Sequence, residues 1–111
     1  EATASVPFRD GHLAPTAPRA IVLRMLANLE GAYARRRRPA DALWTVQLAQ
    51  LARPGEVGLR AREAALLEAV GRYDEAEAVA DGLLAELPQG PDREAALRRR
   101  DAIRELRWRM N

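Results

Sequence analysis

The sequence predicts an all-α fold of antiparallel helical hairpins closed by a C-terminal capping helix, and three observations carry that expectation. Hydrophobic residues make up 48% of the chain and aromatics only 5%, with alanine and leucine dominant, a balance that favours helices over strands. Apolar residues recur three and four positions apart along each long segment, which marks one helical face. Prolines fall at the ends of those segments, where a helix tolerates them, rather than in their middles. A chain of 111 residues holds one core and buries roughly two-thirds of the surface its unfolded form exposes.

Each element follows in turn. Residues 1–16 read as a leader, because Pro7, Gly11, Pro15 and Pro18 are too closely spaced for a helix to pass through. Thr16 stands where an N-cap belongs, with Pro18 tolerated in the first turn. The first helix is expected over 17–36, with Val22, Met25, Leu26, Leu29 and Tyr33 as its inward stripe. Pro39 opens a second helix over 39–52, and Pro54-Gly55 ends it. The third spans 56–70, with Leu59, Leu66, Leu67 and Val70 inward and Gly71 as a C-terminal cap. The fourth spans 73–87 and stops at Pro88, Gly90 and Pro91. The fifth runs from an Asp92 cap to near the chain end and carries Leu97, Ile103, Leu106 and Met110. The helical domain is therefore expected over 17–111, with hairpins at 17–54 and 55–88 and a capping helix at 92–110.

A weak internal repeat organises these elements. Pro54 and Pro88 are 34 residues apart, as are Ala42 and Ala76, Tyr33 and Leu67, and Arg38 and Arg72. Two stacked hairpins of this kind need a terminal helix with one polar face to seal the core, a role that suits the fifth helix.

A 34-residue period with a small residue early in the second helix and a proline after it resembles the tetratricopeptide repeat. In "GRYDEAEAVADGLLAELP", Gly71, Tyr73, Ala76 and Pro88 stand where that repeat has its glycine, aromatic, alanine and proline. The first unit keeps Leu26, Leu29, Tyr33, Ala42, Ala49 and Pro54 but carries Arg37 and Pro39 in place of the glycine and aromatic. Over Pro18 to Asn111, from "PRAIVLRMLANLEGAYARR" to "RWRMN", the chain is similar to the C-terminal tetratricopeptide region of a bacterial transglutaminase-like protein family. The resemblance implies an accessory, non-catalytic part of a larger protein, and the start at Glu1 rather than methionine fits a piece of a longer chain. It also implies partner binding on the concave side. Chaperone-tail binders of the repeat family grip a terminal carboxylate with a lysine and an asparagine. Those positions are Ala27 and Gly31 here, so that grip is not expected.

Composition removes many chemistries. There is no cysteine, hence no disulfide, thiol nucleophile or thiolate metal site. His12 is the one histidine and has no partner nucleophile in a defined frame. No Gly-rich phosphate loop is present. No apolar run approaches a membrane span and no signal peptide is visible, so a cytoplasmic location is expected. No catalytic, metal or cofactor site is expected, and the chain reads as no enzyme.

All 18 basic residues are arginine and 16 acidic residues nearly balance them, leaving a net charge of +2. The run Arg35 to Arg38 falls on the turn of the first hairpin, and a solvated corner is favoured there by the helix dipole. Nucleic acid is the alternative partner, through that run and the fifth-helix arginines around Trp108. Those arginines alternate with acids, however, and the pairs Asp101 with Arg104 or Glu105 with Arg109 are expected at helical spacing. Glu63, Glu68, Asp74, Glu75 and Glu77 read as surface carboxylates.

The candidate partner site is the concave groove, with Arg24, Asn28 and Arg35 from the first unit and Arg62 and Glu68 from the second, beside the small Ala27, Ala61 and Ala65. A second candidate is an outer apolar face on the second helix, Trp44, Leu48 and Leu51, opposite the inward Ala42, Val46 and Ala49. Phe8 and Leu13 of the leader, a neighbouring domain or a second copy would cover it. The expected partner is a protein segment or the chain's own neighbouring N-terminal domain, the expected state a monomer or weak homodimer.

Overall fold

The computed structural model describes residues 16–110, and every regular element among them is a helix. The order is α1 (Thr16–Arg35), α2 (Pro39–Ala52), α3 (Val57–Ala69), α4 (Tyr73–Glu86) and α5 (Pro91–Met110). The readings of the leader, with Phe8, His12 and Leu13, lie outside the described residues. α2 occupies its expected range and the other helices start or end a residue away. Asp92 is not the cap of α5. Pro91 already sits in the helix, since its fixed φ suits a first helical position and the N–H it lacks has no partner to lose there. The first helix likewise starts at Thr16 itself.

Consecutive helices pack in pairs, α1 on α2, α2 on α3, α3 on α4 and α4 on α5. α3 touches α5 only lightly, and α1 reaches α3 through side chains alone, Arg62 to Glu30 among them. The result is an open stack, 56 × 34 × 19 Å, only about two helix diameters thick. Its radius of gyration of 17.2 Å exceeds the ~13 Å of a spherical domain this long.

The 34-residue period is written into the backbone. At the end of α3, Arg72 N–H donates to Leu67 O at 2.9 Å and Gly71 N–H to Glu68 O at 3.0 Å. At the end of α1, Arg38 N–H donates to Tyr33 O at 2.9 Å and Arg37 N–H to Ala34 O at 3.1 Å. These are the same two-bond Schellman closure, 34 residues apart. It demands a left-handed residue, supplied by Gly71 with φ +84° and by Arg37 with φ +56°. Only glycine adopts that conformation freely, so the first turn bears strain the second does not. Arg38 then stacks over the Tyr33 ring at 5.7 Å and pairs with Asp41, while Arg72 pairs with Glu75.

Two clusters form the core. Leu26, Val46, Ala49 and Leu59 make one, with Leu23, Leu48 and Leu66 packed against it. Leu43, Leu67, Ala76 and Ile103 make the other, beside Val70, Tyr73 and Val79. Ala42 and Ala76 are both fully buried, since a methyl group is all the space between neighbouring helices admits.

Several inward assignments change. On α1 only Leu26 is buried, while Val22, Met25 and Leu29 are exposed and Tyr33 is half-buried, because only α2 lies against this helix. On α5 only Ile103 is buried; Leu106 is half-buried and Leu97 and Met110 are exposed, as this end helix also has one main neighbour. Leu43, Thr45 and Ala64 are buried although the apolar pattern did not single them out. Thr45 enters the core because its hydroxyl donates to Ala42 O at 2.6 Å.

Candidate docking groove

Where two odd-numbered helices stand apart over an even-numbered one, a groove opens on one side of the stack. The first lies between α1 and α3, has Thr45 and Ala49 of α2 at its base, and encloses about 290 Å³. Arg24, Glu30, Arg53 and Arg62 crowd it, and Arg62 Nε meets Glu30 Oε2 at 3.0 Å across the gap. The second lies between α3 and α5 over Ala80 and Leu83 of α4 and encloses about 580 Å³. Ala61 and Ala65 wall it on one side and Ala95 and Ala96 on the other, with Leu87 at one end. Arg62, Asp92 and Arg99 are the charged groups at its edge.

The two grooves are one site repeated. Thirty-four residues separate Arg24 from Gly58, Glu30 from Ala64, Arg53 from Leu87 and Arg62 from Ala96, each pair lining its own groove. Every one of these exchanges replaces a long charged side chain by a small or apolar residue. The second groove is therefore wider and apolar. Clefts of several hundred Å³ lined mostly by apolar groups with a few polar ones are the usual form of a binding site.

Of the groove residues expected from the sequence, Arg24 and Arg62 line the first groove, and Arg62 also borders the second. Ala27 lines the first and Ala61 and Ala65 the second. Asn28 is exposed on α1 outside both. Arg35 folds back along its own helix, its Nη1 3.4 Å from where a Cβ on Gly31 would stand. Glu68 pairs with Arg99 at 2.7 Å, tying α3 to α5 beside a shallow pocket with Arg98 and Ala102. On α2, Trp44 and Leu51 are exposed, whereas Leu48 is half-buried against the first core cluster.

The carboxylates divide differently from the expectation of a uniformly solvated set. Glu77 is only 7% exposed and holds Arg104 and Arg107 of α5, with hydrogen bonds from both. Those bonds, Arg104's first, pull its pKa below the ordinary carboxylate value against the opposing effect of burial. Arg107 Nε also lies 2.7 Å from Asp74 Oδ1, a charge contact without hydrogen-bond alignment. Because Arg104 crosses to α4, the expected Asp101–Arg104 pair does not form; Asp101 takes Arg100, and Glu105 takes Arg109 at 3.2 Å. Glu63 accepts from Gln50 at 2.9 Å and from Gln47. Glu77 stands 34 residues after Leu43, a register that signals burial only once Leu43 is itself seen to be buried. Among the described residues no group of three or more His, Asp or Glu side chains converges as metal ligands would, and no helix is long and apolar enough to cross a membrane.

The chain is thus an all-α stack of helical hairpins carrying a doubled groove. No family model, curated protein or solved structure matches it.

Proposed function

We propose that the chain is a non-catalytic docking module that holds an apolar protein segment in the groove between α3 and α5. The observation that carries this reading is the contrast at equivalent positions: Gly58, Ala64 and Ala96 keep open in the second groove what Arg24, Glu30 and Arg62 fill in the first. The 34-residue spacing of Ala42 with Ala76 and of Pro54 with Pro88 supports the same role, with the segment belonging to a neighbouring domain of a larger parent. Nucleic acid is the weaker reading. Arg99, Arg100, Arg104, Arg107 and Arg109 on α5 are each engaged by a carboxylate of the chain, which lowers the positive charge this helix offers a phosphate backbone and leaves Arg98 and the Arg35 to Arg37 run as the basic groups for it.

Selection of a displayed random-peptide library against the chain tests the proposal. Enriched peptides should carry Leu, Ile, Phe or Met anchors. Ala61→Trp, which fills the groove, should weaken them by at least about tenfold while Trp44→Asp leaves them unchanged. Selected peptides that bind Ala61→Trp as tightly as the parent, or that lose binding with Trp44→Asp, would move the site elsewhere.

A further inference from the structure

The two grooves differ in charge as well as in width, and the difference is sharpest at one register of the stack. Arg24 on α1, Gly58 on α3 and Asp92 on α5 follow one another at 34 residues; Arg24 lines the first groove, and Gly58 and Asp92 line the second. One level of the open side therefore runs from a cation, past a residue with no side chain, to an anion. Asp92 has a use within the fold, because it lies in the first turn of α5, where the helix dipole favours a carboxylate. Arg24 has no such use. It lies in the middle of α1, its neighbours three and four positions away are Ala20, Ile21, Ala27 and Asn28, and no carboxylate pairs with it among the described residues. The other arginines of the first groove are engaged, Arg62 by Glu30 at 3.0 Å and Arg53 by Glu56 at 3.9 Å. Three arginines against two glutamates leave one positive charge over in that groove, at Arg24.

We propose that the segment docked between α3 and α5 carries a carboxylate about three or four residues from its apolar anchor, and that Arg24 receives it, a role that rests on the docking proposed above. The spacing follows from the stack. Crossing α3 from one groove to the next is about one helix diameter, ~10–12 Å, and extended chain covers that in about three or four residues. Gly58 puts no side chain in the way of the crossing. The charges also fix the side on which the acid belongs. Of the cations along the second groove, Arg62 is already held by Glu30 and Arg99 by Glu68, and Arg98 lies outside both grooves. On the α5 side Asp92 repels an acid, so the carboxylate gains only by lying toward α1.

Random-peptide selection on the full chain and, in parallel, on Arg24→Glu reads this directly. Peptides enriched on the parent should carry Asp or Glu about three or four positions from the apolar anchor, and those enriched on Arg24→Glu should lose that preference. For the tightest parent-selected peptide, Arg24→Glu should weaken binding about fivefold, the scale of one exposed ion pair. Arg36→Glu, the same charge change made at the corner of the first hairpin, should leave it unchanged. Apolar anchors without an acidic preference, or equal losses with the two variants, would overturn the role of Arg24 and leave the docking groove standing. Enriched peptides without apolar anchors would overturn both.

Discussion

The first and second hairpins share one backbone plan, yet they differ in what they leave uncovered. Ile21, Val22, Met25, Leu29, Trp44 and Leu51 are exposed on the first, where the second has Gly55, Glu56, Leu59, Glu63, Ala78 and Ala85. The second hairpin is covered on both flanks, by α2 and by α5, and its one buried carboxylate is matched by two arginines. Among the described residues the first has a neighbour on one flank only. Position in the stack, more than sequence, decides which apolar side chains become core. The same difference governs the grooves, one filled by charge and the other walled by alanine.

The largest expected effect comes from removing the seal that only the second hairpin has. Ile103 is fully buried against Leu43, Leu67 and Ala76. Ile103→Ala should cost about 2–5 kcal/mol in urea unfolding, the range for a truncated core side chain. Leu29→Ala, on the flank that no described helix covers, should cost far less, and equal losses would erase the distinction between the flanks.

A second difference is electrostatic. Glu77 is held ionised by Arg104 and Arg107, so its folded pKa lies below its unfolded one. The stability it contributes is present above the unfolded value, near about 4.3, and is lost as pH falls through the lowered folded value. Glu77→Gln should therefore be less stable than the parent at neutral pH, and the gap should close below pH ~4. A gap that is constant from neutral pH to pH ~3 would assign the loss to packing instead.

Much of this was legible in the sequence where punctuation is strong. Pro39 and Pro54 bracket α2, whose bounds match expectation, and the Ala42 and Ala76 spacing gave the repeat. Periodicity reveals an apolar face but not whether a neighbour arrives to cover it, so Met25 and Leu29 read as core and stand in the open. Glu77 was misjudged because charge alone suggests solvent, although its register with Leu43 places it inside. In the groove, Ala61 and Ala65 were readable from repeat position. Asn28 was not, because groove lining depends on how far apart α1 and α3 stand. That spacing arises from packing on α2.

The account stands on the equivalence of the two hairpins, and the turns test it most directly. Arg37 and Gly71 occupy the same left-handed position, one against its preference and one with it. Urea-unfolding free energies of Arg37→Gly and Gly71→Arg should move in opposite directions, a gain of about 0.5–1 kcal/mol for the first and a loss of about 1–2 kcal/mol for the second. Two changes of the same sign, or two near zero, would contradict the shared geometry and the doubled groove built on it.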